Sequence, residues 1–169
     1  VHRFCSRCIE DGSLKALIAG ANLLEHAFSQ QEGVEKGTGD LLVVYIEKMF
    51  ERSNCSILAI SVVNCVRLGV QKSEQADFVA STKVLGRIVE EFLKEESQWP
   101  RSQLFGLLIS ALHEFESARA KEEILTKFAN ELEWEAKVLP VLQGCVNIQK
   151  KPLFGEKDPD RYIAKLDLK

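Results

Sequence analysis

The sequence predicts an all-α domain, on three observations. Apolar residues recur at i, i+3, i+4 and i+7 in successive segments, and no segment alternates cleanly between apolar and polar. All four prolines, Pro100, Pro140, Pro152 and Pro159, fall in the last 70 of 169 residues, so the first 99 contain none. That stretch is rich in Leu, Ala, Glu and Lys, which lose little conformational freedom on entering a helix.

Each element follows from local chemistry. Val1–Asp11 reads as the end of a helix, with Gly12 as its C-terminal stop and Ser13 as the next N-cap. The second helix runs to about Gln31 on a stripe of Leu14, Leu17, Ile18, Ala21, Leu24 and Phe28. Glu32–Gly39 holds Gly33, Gly37 and Gly39 and reads as a loop. Asp40 is expected to cap the third helix, which carries Leu42, Tyr45, Ile46 and Met49 to about Arg52. Ser53 and Asn54 break it. The fourth helix, to about Val70, is apolar on nearly every side through Ile57, Leu58, Ile60, Val62, Val63, Val66 and Leu68. Its β-branched residues also suit strands, but the run is too long for one strand and lacks alternation.

Ser73 opens the fifth helix, to about Ser97, on Phe78, Leu85, Ile88, Val89 and Phe92. A turn at Trp99-Pro100-Arg101-Ser102 leads to the sixth, to about Phe115, again apolar on most sides through Leu104, Phe105, Leu107, Leu108, Ile109 and Leu112. Ser117 is read as the start of the seventh, with Ile124, Leu125, Phe128 and Leu132 inward. Val138–Gln149 forms a shorter eighth helix with Pro140 near its start, where a missing N–H does least harm.

The spacing of these helices carries an architecture. Pairs begin near Ser13, Asn54 and Arg101, and within each pair a nearly all-apolar helix alternates with a one-sided one. This pattern, over about residues 13–150, resembles two-helix HEAT-like and armadillo-like repeats, without a residue-level repeat motif. The resemblance implies a platform for other macromolecules without chemistry of its own. A compact helical bundle is the rival arrangement. The domain division is residues 1–151 as the helical-repeat domain and 152–169 as a tail.

Composition narrows the setting. Charged residues make up 28% of the chain with both signs interspersed, and the net charge is −3, so no basic stripe marks a nucleic-acid footprint. The longest uncharged run, Ser53–Val66, has 14 residues and is too short to span a bilayer. Five cysteines, an odd number at low density, read as reduced thiols of a cytoplasmic or nuclear protein. The polar start at Val1 shows no signal peptide, and the absence of an initiating Met suggests a fragment of a longer polypeptide.

The candidate motifs mostly reduce to structure. Cys5-x-x-Cys8 lacks the βαβ setting of a redox pair, and His2, Cys5 and Cys8 at steps of three do not converge on one point of a helix. No catalytic residue, cofactor or metal site is expected, since GxSxG, Walker A, GxGxxG and HExxH are all absent. His26 and His113 have no histidine near them in sequence. Glu90, Glu91, Glu95 and Glu96, and Glu131, Glu133 and Glu135, read as solvated helix faces. Trp99 suits a staple between helices, whereas Trp134, near a helix end among glutamates, is expected to be partly exposed and to serve as an interface anchor.

The expected function is a non-catalytic protein–protein interaction scaffold within a larger protein or complex. The alternative is an RNA- or RNP-binding helical-repeat module, and no membrane partner is expected. Residues 152–169 cluster Leu153 with Phe154 and Tyr162 with Ile163 and add Leu166, more apolar surface than a free tail exposes. The tail is therefore expected to dock on the stack, on a partner or on a second copy of the chain. Helix content above about 60% follows from the periodicity. Far-UV circular dichroism should show the two-minimum spectrum of a helical protein, and the single minimum of a sheet would overturn the reading.

Overall fold

The computed structural model describes residues 1–30, 37–72, 82–96 and 103–149. These residues are 88% helical with no strand among them. The helices are α1 His2–Asp11, α2 Leu14–Ser29, α3 Thr38–Glu51, α4 Ser56–Gln71, α5 Thr82–Glu96, α6 Gln103–Arg119, α7 Glu123–Glu131 and α8 Leu139–Gln149, the last preceded by a π-turn at Trp134–Val138. No helix among the described residues is long and apolar enough to cross a membrane. The expected helix start at Ser73, the Trp99 turn and the docking of 152–169 lie outside the described residues.

Local signals set several boundaries. Gly12 adopts φ 68° and donates its N–H to the Cys8 carbonyl, which closes α1 in a left-handed conformation that suits glycine. The Ser13 hydroxyl then accepts from the Ala16 N–H at 3.3 Å and caps α2. Asp40 is not the cap of α3. Gly37, at φ 96°, takes that position, and Asp40 sits in the first turn, where its charge still complements the helix dipole. Ser117 does not open a helix either. It lies inside α6, its hydroxyl bonded back to the His113 carbonyl at 3.0 Å. The break comes after Arg119, whose terminal carbonyl accepts from the Thr126 hydroxyl at 2.8 Å.

The helices lie in two rows. In one, α4 packs against α2 on one side and α6 on the other. In the other, α3 packs against both α1 and α5. Each helix of the second row also meets its sequence neighbour in the first, α1 on α2, α3 on α4 and α5 on α6, while α7 and α8 pack on α6. Interhelical bonds show α2 running parallel to α4 and α1 parallel to α3. Asn22 meets Ser61 and Glu25 meets Asn64, each 39 residues apart. Cys5 meets Tyr45, Gly12 meets Arg52 and Glu47 meets Arg87, each 40 residues apart.

One continuous apolar core runs from Cys5 to Leu142. The middle helix α4 buries Leu58, Ala59, Val62, Val63, Cys65, Val66 and Val70, a wide arc that two flanking helices and α3 together cover. Phe92 of α5 stacks on Phe105 of α6 with centroids 5.3 Å apart. Gly20 is required by close approach. A Cβ there would lie 1.9 Å from the Tyr45 hydroxyl oxygen and 3.0 Å from the Cys8 Cβ.

Leu58, Val62, Leu108 and Leu112 are fully buried, as the sequence predicts. Truncating Leu108 to Ala removes contacts on a helix enclosed by several neighbours and should cost about 2–5 kcal/mol. Chemical denaturation of Leu108→Ala measures this, and an unchanged midpoint would contradict the packing.

Candidate interaction face

The outward stripe of α4 holds Ile57, Ile60, Asn64, Arg67 and Gln71, spaced so that all five project from one side of the helix. The matching stripe of α2 is Leu14, Ile18, Asn22, Glu25 and Ser29. Because the two helices are parallel and set 39 residues apart, Ile18 falls alongside Ile57. The face thus has two halves. Toward the helix N-termini it is apolar, with Ile57 58% and Ile60 40% exposed. Toward the C-termini it is a polar ladder.

The ladder ties the row together. The Ser61 hydroxyl donates to Asn22 Oδ1 at 2.6 Å, and Asn64 Nδ2 donates to Glu25 Oε1 at 2.9 Å. Arg67 donates through Nε and Nη2 to Glu114 Oε2 at 3.1 and 3.0 Å, while Gln71 Nε2 donates to Glu114 Oε1 at 2.5 Å. Lys72 Nζ caps the end of α2 by donating to the carbonyls of Phe28, Ser29 and Gln30 at 2.7, 2.8 and 3.0 Å. Below Glu114 an open depression of about 210 Å³ is lined by Val70, Gln71, Glu114, Ser117, Lys121 and Glu122. The Gln71 amide and the Arg67 guanidinium hold the Glu114 carboxyl below its ordinary pKa. It is therefore a structural anion rather than a proton donor near neutral pH.

The other sequence candidates take structural places. Cys5 and Cys65 are fully buried, and burial pushes both thiols above their ordinary pKa, which suppresses the reactive thiolate. The Cys5 thiol donates to the Gly20 carbonyl at 3.4 Å. No group of three or more His, Cys, Asp or Glu that could hold a metal ion occurs among the described residues. Glu90 and Glu91 pair with Arg87 and Lys94 along α5. Glu135 pairs with Arg119, and Glu133 with Lys137.

Trp134 is a correction. It is 1% exposed rather than a surface anchor, with its ring 4.7 Å from that of Phe115 and its indole N–H donated to Glu116 Oε2 at 2.6 Å. The reason is the chain path around it. Glu133 turns the backbone at φ 51°, and the π-turn that follows swings the indole inward. Pro140 accounts for that turn. Its ring would collide with the carbonyl four residues back in a regular α-helix, and the wider π-turn relieves the crowding. Leu153, Phe154, Tyr162, Ile163 and Leu166 lie outside the described residues.

Sequence reasoning missed Ile57 and Ile60, which it grouped with the buried side of α4. The signal was present in the polar residues of the same stripe, because Asn64, Arg67 and Gln71 mark the exposed side and the two isoleucines continue it. Comparison with protein-family models, with curated proteins and with solved structures found no match to this chain.

Glu114 makes stability depend on pH. Its folded pKa is depressed, so its contribution is present above the ordinary carboxylate range and is lost as pH falls through the lowered folded value. Glu114→Gln should therefore flatten the acid side of the stability profile. Urea midpoints measured from neutral to acidic pH test this, and an unaltered slope would contradict the assigned role.

Proposed function

We propose that this chain is a non-catalytic protein–protein interaction scaffold, built as an open stack of helix pairs of the HEAT or armadillo kind. The supporting observation is the apolar half of the α2–α4 face. Ile57 and Ile60 stand one turn apart on a helix whose other large apolar side chains are mostly buried. Burying an Ile side chain is worth about 1.5–3 kcal/mol, so a partner covering both gains what folding leaves unused. Single exposed apolar residues are common on proteins, but two on one stripe beside Ile18 make a patch.

The offset of 39 or 40 residues between α1 and α3, α2 and α4, and α3 and α5 supports the repeat reading, and the α4–α6 bonds, 43 and 47 residues apart, allow for a longer unit. The ladder beside the patch mixes Glu25 and Glu114 with Arg67 and Lys72, which suits a protein surface better than a polyphosphate backbone. Cys5, Cys8, Cys55 and Cys65 form no disulfide, in keeping with a cytoplasmic or nuclear setting.

The double variant Ile57→Asp, Ile60→Asp tests the proposal. Both positions are on the surface, so the melting temperature should change little. Proteins captured by the native chain from its source cell should be absent from the variant's capture, as judged by mass spectrometry. An identical set of captured proteins from a variant of unchanged stability would refute the assignment of this face.

A further inference from the structure

We propose that α1 is a cover helix that opens as a unit about Gly12 while the remaining helices stay folded. The observation is how little holds it. Of its ten residues only Cys5 and Cys8 are buried, with Ile9 partly buried against the core, whereas α2 buries five side chains or glycines and α4 nine. Phe4, the largest apolar side chain of α1, points to solvent. The burial of two cysteines and part of an isoleucine gives α1 a smaller apolar attachment than any helix of the α2–α4–α6 row.

The polar attachments of α1 are equally few. The Tyr45 hydroxyl donates to the Cys5 carbonyl at 3.2 Å, the Cys5 thiol to the Gly20 carbonyl at 3.4 Å, and Arg52 Nη2 to the Gly12 carbonyl at 3.0 Å. The last lies at the hinge itself and persists when the helix swings away. Gly12, in the left-handed region, separates α1 from the Ser13 cap, whose hydroxyl bond to the Ala16 N–H does not involve α1, while the Ser13 N–H donates to Asp11 Oδ1 at 3.0 Å across the hinge and moves with it. What α1 covers is a tight floor formed by Gly20 of α2 and Tyr45 of α3, which leaves room for small side chains only. Opening exposes that floor and frees the buried tyrosine hydroxyl. The surface so uncovered is distinct from the Ile57–Ile60 patch.

The cysteines report the motion. The native chain is treated with iodoacetamide, and modification of each cysteine is followed by peptide mass spectrometry. Cys5 and Cys8 should react at a common rate, more than about tenfold faster than Cys65, which lies fully buried in α4. Low concentrations of urea should hardly change the Cys5 and Cys8 rates, because a one-helix opening exposes little surface, while the Cys65 rate should rise steeply. Three results would overturn the proposal. Cys5 and Cys8 could react no faster than Cys65, their rates could rise with urea in parallel with it, or Cys8 alone could react quickly, which would mean direct access without opening.

Discussion

The position of α4 between α2 and α6 is the constraint on which the rest depends. A helix that is apolar over most of its circumference cannot lie on the surface of a protein in water, and one neighbour cannot cover it. Covering Leu58, Val62, Val63, Cys65, Val66 and Val70 takes a helix on each flank and α3 behind. Once α2 and α6 flank α4 in one plane, their one-sided partners α1, α3 and α5 have a single place left, the back of that plane. The two-row arrangement is thus the burial requirement of one helix extended to its neighbours.

Polar interactions select register within that arrangement rather than supply its stability. Ion pairs on the surface contribute about 0–1 kcal/mol each, against about 2–5 kcal/mol for a buried leucine. What the pairs of Asn22 with Ser61, Glu25 with Asn64 and Arg67 with Glu114 do is discriminate among slides of parallel apolar surfaces. A slide by one turn would keep much of the apolar contact but leave these groups unpaired. The same ladder fixes where Ile57 and Ile60 emerge, so the exposed apolar face is a by-product of the register. At the other end of the chain the buried Trp134 and its bond to Glu116 tie the π-turn to α6 and give α7 and α8 a fixed seat.

The strength of attachment varies from helix to helix. Central helices are enclosed on several sides, whereas among the described residues α1 packs chiefly on α2 and α3, through Cys5, Cys8 and Ile9. In a graded structure of this kind the enclosed helices are the stable ones and the less attached α1 moves at lower cost.

Much of the fold was legible in the sequence because its determinants are local. Helical periodicity, the Gly12-Ser13 stop and start, the break at Ser53-Asn54 and the burial of Leu58, Val62, Leu108 and Leu112 all follow from residues within a turn or two of each other. What the sequence could not rank was competition between local signals. Ser117 is as good a cap as many that succeed, but the apolar contacts of α6 carry the helix past it to Arg119. Asp40 lost its expected position to Gly37 for the same kind of reason. The exposed side of α4 was also decided in three dimensions. An almost wholly apolar helix holds little local information about which side neighbours will leave uncovered. Trp134 shows the converse. Its glutamate neighbours signal solvent, yet a left-handed Glu133 and the space demanded by Pro140 turn its ring into the core. The sequence by itself determined that the chain is helical and which helices must be enclosed, because these depend on short-range sterics and composition. Only the tertiary structure decided the face left to solvent, because that is set by the parallel register of helices about 40 residues apart, a contact no local pattern encodes.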